Sequence, residues 1–413
     1  FYSMVLNRIF IGMFLTAMVV GLSKLIFWQD IDVFKNMINA LFDAAKNGFE
    51  IALYLTGALC LWMGLMKVGE EGGAIRHLTR FVSPLFSKIF PEVPKGHPAI
   101  GSMMMNISAN MLGLDNAATP MGLKAMKELQ TLNPEPERAT NAQIMFLVLN
   151  ASGLTIIPVS VLAMRTANGS SSPSEVFLPI LISTFFATLA ALIFVGIKQK
   201  INLLNKVVLA YVGSLSLGII LLLVYLSNNP EMVDPVSSIG SNVILFGVIT
   251  TFILLAVKAK VNVYESFIDG AKEGFQTAVS IIPYLVAMLS AIAVFRACGA
   301  LDSVFQALKH TMIYFGFVYT EFIDALPVAF MKPFSGSGAR ALMVDSFANY
   351  GVDSFVGKLS ATFQGSTETT FYVLAVYFGA IKVKNTRYAA TGGIIADIVG
   401  AITAIFIAYL FYA

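Results

Sequence analysis

Apolar residues fall along this chain in long uninterrupted runs. Nine stretches of about 20 residues carry them: 8–27, 49–68, 141–164, 176–197, 206–226, 239–257, 277–297, 358–381 and 388–412. A run of that length spans the hydrocarbon core of a bilayer as a helix. A lone spanning segment must be helical because it has to satisfy its own backbone in lipid. The ten-residue alternation of an outer-membrane barrel is missing. The pattern predicts an all-α polytopic membrane protein with about nine full spans.

Two further stretches, 98–130 and 326–347, are moderately apolar but rich in Gly, Pro, Ser and Asn. The first centres on NISANMLGLDNAATP, Asn106 to Pro120. Gly113 interrupts helical continuity there, and Thr119-Pro120 reads as an N-cap followed by proline at the first helical position. The second is interrupted by Pro327 and Pro333, has Ser335-Gly336-Ser337-Gly338 at its tip, and resumes as a helix from Ala339 to Phe347. Irregular backbone at membrane depth survives only where protein or a cavity covers it. Both stretches therefore read as re-entrant broken hairpins. Half-helix N-termini present unpaired N–H groups and partial positive charge. The ends at Thr119 and Gly338 are expected to meet as a site for a polar or anionic ligand.

A duplication organises these elements. Asp43-Ala44-Ala45-Lys46-Asn47-Gly48-Phe49-Glu50 recurs as Asp269-Gly270-Ala271-Lys272-Glu273-Gly274-Phe275-Gln276, a shift of 226 residues. The same shift relates Asn36 to Asn262, Leu59 to Leu285 and Gly73-Ala74 to Gly299-Ala300. Further on, Asn150-x-Ser152-x-x-Thr155 parallels Gln364-x-Ser366-x-x-Thr369 at a shift of 214. An odd number of crossings separates Gly48 from Gly274, so the two copies are expected to be inverted. Inverted repeats with a site near the midplane are a hallmark of secondary transporters. The expected units are 1–200, a linker span in 201–235, and 236–413.

Composition and charge narrow the class. Hydrophobic residues make up 57% and charged residues 12% of the 413, about half the charged share of a soluble domain. Net charge of +3 is too small to suggest nucleic acid. Cys60 and Cys298 sit in apolar runs, and His77, His97 and His310 show no metal spacing, so no metal or cofactor is expected. No Ser-His-Asp, HExxH or paired-Cys pattern supports an enzyme. The Ser-Gly-Ser-Gly tip follows no strand and is no dinucleotide fingerprint. The first apolar run lacks a small-residue cleavage pattern behind it and reads as a retained helix. With the broken stretches re-entrant, the basic loops 67–98, 198–206, 258–276 and 382–387 fall on one side. The positive-inside rule then puts the N-terminus in the cytoplasm of a bacterial inner-membrane protein.

Ionisable residues inside a membrane are functional candidates. Glu368 stands out, within a helix whose next turns, Phe371 to Phe378, are almost wholly apolar. It could bind a coupling proton or cation, accept hydrogen bonds from a ligand, or simply pair with Arg340 or Lys332. Arg340 beside the second tip suits an anion or a structural role, and Asp115 suits a functional carboxylate or a turn. Neutral candidates for substrate contact are Asn110, Asn116, Thr119, Asn150, Ser152, Ser335, Ser337, Gln364, Ser366 and Thr369, which are expected to converge on one polar cavity. Each polar group left unpaired in hydrocarbon costs several kcal/mol, which forces such groups together. Leu154 stands where Glu368 would have its counterpart, so the site should be asymmetric.

These stretches also carry a resemblance. NMLGLDNAATPMGLKAMKELQ, Asn110 to Gln130, resembles the signature of spore maturation protein A. PFSGSGARALM (Pro333 to Met343) and QGSTETTFYVLAVYFGAI (Gln364 to Ile381) resemble spore maturation protein B. The chain thus looks like an A–B fusion over nearly its whole length, although the A-type pattern has Gly where Asp115 stands. Both halves resemble the nucleoside-recognition, or Gate, domain, similar to parts of concentrative nucleoside transporters and of the ferrous iron transport protein B membrane region. The resemblance implies a transporter-like membrane fold and leaves the substrate open.

The sequence thus points to two inverted Gate-like repeats that move a small polar solute, nucleoside-like or anionic, by secondary transport coupled to protons or sodium. A non-transporting envelope or spore-maturation scaffold and a lipid-precursor flippase are the alternatives. Implied partners are a small-molecule substrate and membrane lipid, with homo-oligomerisation left open.

Overall fold

The computed structural model describes residues 2–112, 115–314, 316 and 319–412, with the side chains of 2–7, 9 and 115–117 among those outside the description. Among the described residues the chain is helical, without a β-strand. The helices are α1 (Tyr2–Phe27), α2 (Val33–Glu71), α3 (Ala74–Ile89), α4 (Pro98–Met111), α5 (Asp115–Gln130), α6 (Asn141–Ser152), α7 (Val159–Ala167) and α8 (Phe177–Lys198). They continue as α9 (Lys206–Asn228), α10 (Ser241–Lys258), α11 (Val263–Ala297), α12 (Ala300–Tyr314), α13 (Leu326–Met331), α14 (Gly336–Tyr350), α15 (Phe355–Ser366), α16 (Thr370–Ala380) and α17 (Ala389–Tyr412). Six helices among the described residues are long and apolar enough to cross a membrane: α1, α2, α8, α9, α10 and α17, two of these spans being measured over Phe10–Phe27 and Pro173–Lys198. The protein is an all-α, multi-pass membrane protein.

The related helices pack against each other head to tail. A Cβ on Gly48 of α2 would stand 3.3 Å from the backbone of Val286, and one on Gly274 of α11 would stand 2.7 Å from the carbonyl oxygen of Leu59 and 2.9 Å from Cα of Cys60. The 226-residue shift carries Gly48 onto Gly274 and Cys60 onto Val286. The two contacts are therefore one contact seen from each helix, and α2 and α11 run antiparallel about it. Small residues let these backbones close, as is usual for helix pairs in lipid. The exchange continues elsewhere: α1 packs on α11 as α10 packs on α2, and α6 packs on α17 as α15 packs on α8. Helix α9, expected as a linker span, presents Leu215, Leu217, Leu221 and Val224 outward.

Two expected spans are not continuous. Stretch 141–164 is α6, an unwound segment and α7; stretch 358–381 is α15, an unwound segment and α16. The hairpins are broken as expected, at α4–α5 and α13–α14. Their boundaries differ, however. Helix α5 starts at Asp115 with Pro120 inside it, so Thr119 is no N-cap. Gly113, read as the break, lies outside the described residues. Helix α14 starts at Gly336, capped by Ser335, whose Oγ accepts the Gly338 N–H at 2.9 Å. A serine cap satisfies an N–H that proline or alanine could not, and it moves the helix start two residues before Gly338.

Candidate functional site at the crossing of two broken helices

Helix α6 ends because Gly153 adopts the left-handed conformation, φ 63° and ψ 43°. Pro158 then blocks helical hydrogen bonding until α7 can start. The unwound backbone between them finds a partner across the fold: the Ile156 N–H donates to the Met111 carbonyl at the end of α4, 2.6 Å. The second copy repeats the device. Helix α15 ends at Ser366, Thr367 is extended, and the Phe371 N–H donates to the Pro333 carbonyl beside the second hairpin tip, 3.0 Å. In each copy a hairpin carbonyl thus holds the following broken helix.

The two breaks meet. The Glu368 N–H donates to the Ala151 carbonyl at 3.0 Å. A Cβ on Gly153 would lie 2.7 Å from the Glu368 nitrogen and 2.9 Å from the Thr367 carbonyl carbon. Glu368 therefore stands in an unwound segment, not inside a continuous helix as the sequence suggested. Polar backbone is tolerated at such a place because it lines a cavity.

A cavity of about 100 Å³ opens beside this crossing. Its charged lining is Lys332, Arg340 and Glu368, and its neutral polar lining includes Asn110, Gln364 and Thr369. Gly336 brings the start of α14 to the same space. Gln364 is buried, and its Oε1 has no hydrogen-bond partner among the described residues. An orphaned buried acceptor costs its full desolvation, so this amide calls for a donor from a ligand or water. Asn110 donates through Nδ2 to Asn150 Oδ1 at 2.9 Å, and Asn150 Nδ2 donates to the Phe146 carbonyl at 2.8 Å. Chemically, the arrangement offers cationic groups and a helix start for an anionic atom, with a carboxylate and an amide oxygen for donors.

The remaining expected residues are placed as follows. Asn150 stands one hydrogen bond behind the cavity. Ser335 is buried as the α14 cap, and Ser337 lies 3.3 Å from its hydroxyl. Ser152 donates to the Leu149 carbonyl and meets Thr188, while Ser366 donates to the Phe363 carbonyl, so both bond helix backbone. Thr119 lies inside α5, which packs on Tyr377 of α16 at Gly122. The side chains of Asp115 and Asn116 lie outside the described residues. One residue was missed. Asp397 of α17 is buried and accepts from Thr370 Oγ1 at 2.7 Å, with Lys332 and Glu368 within electrostatic reach. A lone carboxylate in the apolar run 388–412 was the signal that could have found it.

Residues 52–168 match the family described as Nucleoside recognition (Gate). Spore maturation protein B of Bacillus subtilis (strain 168) is 44% identical over 165 residues, which are 40% of this chain and 90% of the relative. Spore maturation protein A of the same organism is 39% identical over 154 residues, 37% of this chain and 79% of the relative. Each relative is thus covered over most of its own length.

Proposed function

Because the chain belongs to the family of spore maturation proteins A and B, we propose that it is a secondary transporter for a small polar solute and not an enzyme. The observation that supports this most is the polar cavity where two unwound helices cross, with the Gln364 amide oxygen, unpartnered among the described residues, in its wall. Half-helix ends around a site between two exchanged repeats suit alternating access. Lys332 and Arg340 in the cavity wall favour a small solute with an anionic group. The test is a thermal-shift panel of small carboxylates, inorganic anions, amino acids and nucleosides, followed by uptake of hits into proteoliposomes. Hits should come from the small anions and zwitterions. Arg340→Gln and Gln364→Ala should each weaken binding by about tenfold or more, the loss of one charge-assisted or orphan-satisfying bond. Uptake unchanged in both variants would remove the cavity from the transport route.

A lipid-precursor flippase has one observation in its favour. A groove of about 690 Å³ runs between α2, α11 and α14, apolar at Ile51, Tyr54 and Leu289 and polar at Asp43, Arg296 and Asn349. Uptake of a water-soluble solute separates the two readings.

For topology, the proposal is a bacterial inner-membrane protein with a cytoplasmic N-terminus, from the basic loops. The antiparallel α2–α11 pair supports inverted copies. Single cysteines at Asn47 and Glu273, in a background lacking Cys60 and Cys298, should label from opposite faces of the membrane. Labelling from one face would contradict the inversion.

A further inference from the structure

Helix α17 carries a single charged residue, Asp397, the ninth of its 24 residues. At 1.5 Å per residue this is about 12 Å into the helix, deep in the hydrocarbon layer. The side chain is 8% exposed. The helix face around it is cut back by Gly393 and Gly400, one turn to either side. A Cβ on Gly393 would collide with the Thr370 side chain, and one on Gly400 would stand 3.0 Å from Thr367 Cγ2 and 3.6 Å from the Ser366 carbonyl oxygen. The second break is thereby pressed directly onto Asp397. Its Oδ2 accepts from Thr370 Oγ1 at 2.7 Å. Its Oδ1 is shielded from solvent and has no hydrogen-bond partner among the described residues.

Three features of this spot are electronegative. Helix α15 ends at Ser366, so its last carbonyls lack intrahelical partners and carry partial negative charge. The carboxylate stands beside that end. The Thr370 hydroxyl bonds it and Thr367 packs one turn away against Gly400, so both hydroxyls can turn lone pairs inward. The charged groups facing it are Lys332 from the end of the second hairpin's first half and Glu368 from the break, both at electrostatic range. Asp397 is not in the wall of the solute cavity, whereas Glu368 is.

We propose that Asp397, the hydroxyls of Thr367 and Thr370 and the Ser366 carbonyl form a site for a dehydrated monovalent cation of the size of Na⁺. A single carboxylate with neutral oxygens suits a monovalent ion, whereas Ca²⁺ takes six to eight oxygens and Mg²⁺ keeps several waters. Unwound backbone and half-helix C-terminal ends are where such ions sit in transporters. A cation here fixes residues 366–370, whose other side is the cavity wall at Glu368 and Thr369. Ion and solute would then stabilise the same arrangement of one short segment, and each would raise the other's affinity. That coupling rests on the transporter reading; the binding of the ion does not.

The experiment is a melting titration of the purified protein without solute, with NaCl, KCl or choline chloride at constant total salt. Sodium should raise the melting temperature saturably by several degrees over choline, as a ligand of the folded state must. Asp397→Asn should abolish the response. Thr370→Val should shift the half-saturating sodium concentration upward by about tenfold, the loss of one ligand. If Asp397→Asn does not fold, Thr370→Val carries the same comparison. No sodium response beyond choline, an equal response to potassium, or an unchanged response in both variants would overturn the site. Sodium-specific stabilisation without any solute uptake would keep the site and reject the transporter reading.

Discussion

Gly153→Ala is expected to destabilise the protein by about 3 kcal/mol and, on the transport function proposed above, to abolish uptake, because two costs meet at one Cβ. The residue holds φ 63°, where an L side chain costs about 1–2 kcal/mol. The new methyl would also press on the Glu368 nitrogen at 2.7 Å and the Thr367 carbon at 2.9 Å. Those are backbone atoms, already tied by the Glu368 N–H to the Ala151 carbonyl, and they cannot rotate away. Overpacking of that kind costs about 1–3 kcal/mol. Gly169→Ala provides the control. Gly169 has φ 76° and nothing within 4 Å of its Cβ position, so it bears the conformational cost alone. Chemical unfolding in detergent should place Gly153→Ala well below Gly169→Ala. Equal losses would mean that the two breaks are not rigidly interlocked.

That contact also shows where sequence reasoning stops. The duplication was legible because two copies of one pattern keep the same register, and the hairpins were legible because Gly, Pro, Ser and Asn accumulate in them. The helix breaks were hidden. Between Gly153 and Pro158 lie Leu154, Thr155, Ile156 and Ile157, apolar enough to pass for a span, and only the flanking Gly and Pro betrayed the interruption. In the second copy the interruption is Thr367-Glu368-Thr369, with no proline. It is held open by bonds to Ala151 and Pro333, far away in sequence, and no local pattern records such partners. Thr119 failed for the same reason. Its Thr-Pro pair has the chemistry of a helix start, but α5 begins at Asp115 and packs on Tyr377, far away in sequence, at Gly122. Asn110, Gln364, Thr369, Glu368 and Arg340 do line one cavity, since charged and amide side chains in an apolar chain have few other places to go.

The second large effect is expected at the ends of the α6–α7 pair, where the two repeats are clasped together. At one end, the Lys384 and Asn385 N–H groups donate to the Glu137 carbonyl, and Arg387 donates to the Ala139 carbonyl. At the other, Arg165 donates to Asp353 Oδ1 at 2.8 Å, to Ser170 Oγ at 2.9 Å and to the carbonyls of Val352, Pro173 and Ser172. The 214-residue shift carries Arg138 onto Val352 and Ser171 onto Asn385, so the clasps are counterparts. They differ in burial. The Lys384–Glu137 pair is exposed and contributes little, about 0–1 kcal/mol. The Arg165 side chain is 0% exposed, and Asp353 keeps a third of its side chain in solvent. Arg165→Met fills similar volume but leaves several carbonyls without their donor and the Asp353 carboxylate without its cation, and should cost about 3 kcal/mol. Lys384→Met should cost under 1 kcal/mol. Acid gives an independent reading of the same clasp. Burial pushes the Asp353 carboxyl up, but hydrogen bonds from Ser170 and Ser171 and the Arg165 charge outweigh it and hold the pKa at about 2, below its ordinary 3.8. A depressed carboxylate stabilises the fold above its unfolded value, and that stabilisation is lost as pH falls from about 4 toward 2. Wild-type melting temperature should therefore fall through this window more steeply than that of Asp353→Asn, which has no carboxylate to protonate. Parallel acid curves, together with a near-native melting temperature for Arg165→Met, would show that the repeats are held by their apolar packing alone and that the buried clasp is free to open.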